Sequence, residues 1–232
     1  MDYLISLDKQ WLLALNGSDS LFLDSLVKTL TTATTWIPLY VALLYMVIKN
    51  SGNIRQVLLV VGCALLCVFL AGSLDDMIVK PLVGRWRPAR DPEIGLSVDI
   101  VNGYRGGRFG FFSAHASNTF SLALFFSLLV RSRALSVALV FWSLVNCWTR
   151  LYLGVHYPGD IAVGLLWGAI VAIAVYWLYR HLVPRSEGTT VYVSTHYTSS
   201  GYLLQHADIV VAVIVATFIY AILKACLAPY FF

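Results

Sequence analysis

Charge is what this sequence lacks. Of its 232 residues only 12% are Asp, Glu, Lys or Arg, about half of the roughly 25% carried by soluble domains. That shortage excludes a disordered chain, a coiled coil and an ordinary cytosolic enzyme. Cysteine is scarce too: Cys63, Cys67, Cys147 and Cys226 all lie inside apolar stretches. With no CxxC pair and no histidine near them in sequence, they are expected to be buried packing residues rather than a disulfide framework or a zinc site. The N-terminus lacks a basic segment followed by an apolar core and a small-residue cleavage site, so no removed signal peptide is expected. No internal repeat or low-complexity run is present, and the net charge of +4 is too small to point to nucleic acid.

Apolar residues are abundant instead, at 59%, and they fall in long blocks. A spanning helix needs about 20 of them, so the charge-free intervals count the spans. Six stand out: Thr29 to Ile48, Gln56 to Leu74, Phe109 to Val130, Ala134 to Thr149, Ile161 to Tyr179 and Ile209 to Leu223. The fourth and sixth, at 16 and 15 residues, must borrow flanking residues. Before them, residues 1–16 alternate apolar and charged side chains, which suits a helix lying in the membrane interface and ending at Gly17-Ser18. The expected fold is all-α: a polytopic membrane helical bundle of about six transmembrane helices plus an N-terminal interfacial helix. One unit is expected over 1–232, with an additional C-terminal span at 207–228.

The connections carry opposite messages. Lys49 and Arg55, Arg131 and Arg133, and Arg180 and Arg185 make three basic connections. The positive-inside rule places these in the cytoplasm, with both termini on the other side. His196 and His206 fall in the polar linker that ends the third. The loop from Lys80 to Arg108 and the turn from Arg150 to Asp160 then share the outer face. That outer loop breaks the bias, with six Lys and Arg against three Asp and Glu. Gly103, Gly106 and Gly107 around Arg105 suit close approach to a ligand, or a lid over 89–110. The tryptophans Trp36, Trp86, Trp142, Trp148 and Trp167 fit interface anchors or packing.

Charges inside or beside spans are costly, at about 2.5–3.5 kcal/mol on insertion scales, and tend to serve function. On the outer face Lys80, Arg85, Arg87 and Arg150 meet His115, Ser113, His156 and Asp160. Cations beside a helix N-terminus make an anion site. Two histidines near an anion suggest a nucleophile and a proton donor. Phosphoryl transfer uses such a set.

Written with their spacing, the residues are Lys80-x6-Arg87-Pro88, Ser113-Ala114-His115 and Arg150-x5-His156-x3-Asp160. They resemble the three signatures of the type 2 phosphatidic acid phosphatase (PAP2) superfamily, KxxxxxxRP, PSGH and SRxxxxxHxxxD. The departures are Thr149 for Ser, Phe112 for Pro and Ala114 for Gly. Together the signatures cover residues 80–160, about a third of the chain. The resemblance implies that His156 attacks phosphorus to form a phosphohistidine, that Asp160 orients it, and that His115 is the general acid. It implies that Lys80, Arg87, Ser113, the backbone of Ala114 and Arg150 bind the phosphoryl oxygens. Arg85, Arg90, Arg105 and Arg108 are candidates for head-group contacts or for solvation beside anionic lipid. Three fixed cations stand in for a divalent metal, so no metal or other cofactor is expected, and vanadate should inhibit.

The expected partners are the bilayer and a phosphorylated membrane lipid, in small bacterial members at the periplasmic face of the inner membrane. Undecaprenyl diphosphate and lipid A phosphate are the leading substrates, with phosphatidylglycerophosphate and phosphatidate as alternatives. Two other classes stay open from the residues alone: a transporter, and a catalytically inactive lipid-binding relative. The sequence does not set the oligomeric state.

Overall fold

The computed structural model describes residues 2–183 and 195–228. Among them the regular structure is helical, apart from isolated bridges between Trp86 and Phe109 and between Tyr197 and Leu203. The helices are α1 (Asp2–Leu15), α2 (Leu21–Thr31), α3 (Ile37–Asn50), α4 (Ile54–Val83), α5 (Ala114–Val130), α6 (Arg133–Tyr152), α7 (Pro158–Leu182) and α8 (Leu204–Leu227). The chain is an all-α membrane bundle. By length and composition α4, α6, α7 and α8 qualify as spans, and α2 with α3 qualifies as a bent fifth. At 17 residues, α5 is shorter than the usual ~20.

Both short intervals borrow neighbours as expected: α6 extends to 20 residues and α8 to 24. Two boundaries differ more. The first span starts at Leu21 rather than Thr29 and bends by 66° between α2 and the turn that leads into α3. A bend strands the last carbonyls of the helix before it, and three side chains satisfy them. Thr32 Oγ1 donates to Lys28 O at 2.6 Å, Thr35 Oγ1 to Thr29 O at 2.7 Å and the Trp36 indole to Leu30 O at 2.8 Å. The second span runs past Leu74 to Val83 because two π-helical turns, Phe69–Ser73 and Asp75–Val79, carry it onward. Gly84, with φ +63°, then ends it.

The core joins Trp36, Met46, Cys63, Cys67, Phe125, Trp142 and Val175. Trp36 and Trp142 are packing residues, edge-to-face at 5.7 Å. All four cysteines are free; Cys226 is exposed, unlike the other three. Helices α5 and α7 approach most closely where glycine removes the side chain. A Cβ at Gly164 would lie 2.7 Å from Ser113 O, and one at Gly168 would lie 2.6 Å from Ser117 O.

The two ends of the bundle are distinct. At one end Asn50 Oδ1 accepts the Leu203 N–H, Asn50 Nδ2 meets His206 Nδ1 at 3.0 Å, and Ser200 Oγ donates to Val130 O. The basic connections therefore gather together, and His206 sits in the first turn of α8 rather than in a linker. Arg185 lies outside the described residues. At the other end α1 buries Leu12 against Ala89, Val98 and Tyr157.

Replacing Gly168 with Ala should lower stability in detergent by about 1–3 kcal/mol through overpacking against a helix backbone. Gly62→Ala, whose new methyl meets nothing within 4 Å, should change it by less than about 0.5 kcal/mol. Equal melting curves for the two variants would refute the close helix contact.

Candidate active site

The second end of the bundle holds the residues singled out by spacing. Ser113 is the N-cap of α5 and its Oγ accepts the Ala116 N–H, which leaves the N–H groups of Ala114 and His115, without a helical partner, for an anion. Arg150 lies in the last turn of α6. A glycine turn at Gly154, φ +62°, leads to His156, and Pro158 starts α7 with Asp160 in its first turn. The Ser113 N–H donates to Asp160 O at 3.1 Å, which locks the start of α5 to the start of α7.

His156 is buried, 2% exposed. Its Nε2 is 3.3 Å from Arg87 Nη1. Arg87 is itself fixed by Phe109 O at 3.0 Å and Val155 O at 3.3 Å. The other ring nitrogen, Nδ1, stands 3.6 Å from Asp160 Oδ2, longer than a hydrogen bond, and has no bonded partner. Burial first, then the charges of Arg87, Arg150 and Lys80, holds the His156 imidazole well below the ordinary histidine range. It is neutral at pH 7.

His115 stands exposed one residue into α5, within electrostatic reach of Arg150, His156, Arg87 and Lys80. Arg150 is buried; its Nη1 donates to Thr31 Oγ1 at 2.5 Å and its Nη2 to the Tyr104 hydroxyl at 3.2 Å, while Nε has no partner. Lys80 is held by Asp75 at 2.9 Å and by Asp76. Asp75, fully buried, also accepts the Phe112 N–H at 3.1 Å. Arg87 and Arg150 have no carboxylate partner among the described residues and repel one another, so burial and then Arg150 lower the Arg87 guanidinium. A dianion placed between them would relieve both.

The remaining arginines occupy other positions. Arg85 bridges Asp160 Oδ1 at 2.7 Å and Asp8 Oδ2 at 2.6 Å, with its guanidinium 4.2 Å from the Tyr157 ring centre. Arg108 covers Trp86 and Phe109. Arg90 and Arg105 are exposed. Sequence reasoning missed Asp8, Thr31, Asp75 and Tyr104. Asp75 left one trace, as the residue that ended a charge-free interval; Thr31 left none. Among the described residues no group of three or more His, Cys, Asp and Glu is placed to hold a metal ion.

A helical membrane bundle with histidines and cations gathered at one end has the donor set of phosphoryl transfer. Residues 56–184 match the profile of the PAP2 superfamily, more than half of the chain, and the chain belongs to that superfamily. It is 40% identical over 192 residues to a protein of Bacteroides thetaiotaomicron named lipid A 4'-phosphatase, covering 82% of this chain and 84% of that one. A lipid A 4'-phosphatase of Porphyromonas gingivalis is 33% identical over 192 residues, covering 82% and 80%. The decaprenylphosphoryl-5-phosphoribose phosphatase of Mycobacterium tuberculosis is 37% identical over 99 residues, 43% of this chain and half of that protein. No solved structure matches. The protein is a lipid phosphatase, a hydrolase acting on a phosphorylated lipid.

The neutral His156 carries a pH signature. A native pKa below the unfolded value near ~6.5 means that the unfolded chain gains a proton first as pH falls. The stability from this group is therefore present above about pH 6.5 and declines below it. Between pH 7.5 and 5.5 the wild type should lose about 1 kcal/mol more than His156→Gln. Parallel denaturation profiles would show that the ring is not held neutral.

Proposed function

We propose that this protein removes a phosphate from lipid A at the outer leaflet of the bacterial inner membrane, without a metal and through a phosphohistidine. The observation that carries the reading is a buried neutral imidazole facing two guanidiniums that lack carboxylate partners among the described residues. The two lipid A 4'-phosphatases, aligned over 82% of the chain, favour lipid A over undecaprenyl diphosphate.

Arg87 donates to His156 Nε2, so the lone pair lies there and the proton rests on Nδ1, beside Asp160. An arriving phosphate takes the Arg87 N–H groups and frees Nε2 to attack phosphorus. The N–P bond forms as the bond from phosphorus to the lipid oxygen breaks, and His115, protonated once the dianionic phosphate lies beside it, transfers that proton to the oxygen. Asp160 stabilises the ring as positive charge develops on it. Arg87, Arg150, Lys80, the Ser113 hydroxyl and the backbone N–H of Ala114 stabilise the equatorial oxygens. Water then attacks the phosphohistidine, His115 accepts its proton, and phosphate leaves.

Orientation follows from the gathering of basic connections opposite the site, which the positive-inside rule assigns to the cytoplasm. Six crossings, made by α2–α3 and α4 through α8, place α1 and the end of α8 on the outer side with the site. The exposed Tyr3, Leu4 and Trp11 of α1 support its lying in the interface. The chain acts as one unit over 1–232, with the signatures in 80–160.

Purified protein with EDTA present, assayed on lipid A, undecaprenyl diphosphate, phosphatidylglycerophosphate and phosphatidate, should release phosphate fastest from lipid A and be inhibited by vanadate. Turnover confined to soluble phosphate esters would sink the lipid A assignment. His156→Ala should lower kcat by a factor on the order of 10³ or more with insertion retained. A mild effect would favour a transporter or a scaffold.

A further inference from the structure

A cleft of about 780 Å³ opens between α2, α3 and α8, lined by Ser25, Lys28, Thr32, Thr34, Tyr220 and Lys224 among others. Its chemistry is unusual for a bundle surface. Lys28 and Lys224 are exposed and form no ion pair among the described residues, whereas Lys9, Lys80 and Arg85 all do. Thr32 and Thr217 give their hydroxyl hydrogens to Lys28 O and Val213 O. Among the described residues the hydroxyls of Ser25, Thr34 and Tyr220 form no hydrogen bond, which leaves them as donors in the same cleft as the two ammonium groups.

The cleft lies on the same end of the bundle as the catalytic residues. Thr31, which accepts from Arg150, is three residues from Lys28, about 4.5 Å along the helix axis. Lys224 lies in the last turn of α8, the end remote from the His206–Asn50 contact. Every residue lining the cleft falls outside 56–184, the part matched by the PAP2 profile. The cleft is therefore an addition to the phosphatase core. Two lysines on separate elements, lining one cleft together with hydroxyl groups, supply the donors of an anion site of the kind used for phosphate.

We propose that this cleft binds a second phosphate of the lipid head group, one that is not hydrolysed, and so selects lipids that carry two separated phosphates. The proposal rests on the lipid A reading and adds to it a device for choosing among phospholipids. One phosphate is held by Lys28 and Lys224 while the other reaches Arg87 and Arg150. Phosphatidate, with one phosphate, leaves the cleft unused.

The test is the double variant Lys28→Gln/Lys224→Gln. It should raise KM for bis-phosphorylated lipid A about tenfold with kcat within about twofold, and leave KM for phosphatidate within about twofold. An equal rise for both lipids, or none for either, overturns the proposal. Binding of bis-phosphorylated lipid A to His156→Ala protein separates this claim from the substrate reading. Affinity should fall about tenfold when the two glutamines are added, whichever lipid the wild type hydrolyses fastest, and an unchanged Kd rejects the cleft on its own.

Discussion

Asp160, a carboxylate with no exposed surface, holds the catalytic end together through four neighbours. Oδ1 takes Arg85, Oδ2 takes the Tyr157 N–H and faces His156, and the backbone carbonyl takes the Ser113 N–H. An unpaired buried carboxylate would cost several kcal/mol, so this one fixes its surroundings: α7 must begin at Pro158, α5 just after its cap Ser113, and Arg85 must fold inward. The close α5–α7 contact at Gly164 and Gly168 extends the same constraint down the bundle. Remove the carboxylate and the two helix starts that frame the phosphate site lose their common anchor.

Electrostatic roles divide among cations that look alike in sequence. Arg85 and Lys80 are neutralised by carboxylates, Asp8 with Asp160 and Asp75 with Asp76. Arg87 and Arg150 are tied to neutral acceptors instead and keep their charge available. Arg85 supports the architecture, Lys80 is held in place by its two carboxylates, and Arg87 with Arg150 is electrostatically incomplete without an anion. The N-terminal helix thereby becomes part of the site's support: Asp8 clamps Arg85 and also accepts the Gly159 N–H at 2.7 Å, so α1 braces the loop around His156.

The bundle itself was legible in outline because hydrocarbon penalises charge, and a gap between charged residues measures a span. The short intervals of α6 and α8 lengthened as the arithmetic required. Where the reading of boundaries failed, polar side chains were satisfied locally. Thr32 and Thr35 let a span bend, and π-helical turns let α4 carry Asp75 and Asp76 without stopping. Neither device changes hydropathy, so neither shows in a count of charges.

Composition and spacing alone determined that the chain is a membrane helical bundle, and that two histidines, an aspartate and several cations share one of its ends. Those follow from periodicity, from the cost of charge in lipid and from residue types at fixed intervals. Only the tertiary structure decided which arginine is held by carboxylates and which remains available, that Thr31 and Tyr104 hold Arg150, and that Lys28 and Lys224 line one cleft. These partners lie far apart along the chain, 77 residues between Asp8 and Arg85 and 119 between Thr31 and Arg150. A local pattern carries no record of which distant atom will satisfy a buried charge; packing selects it when the helices close.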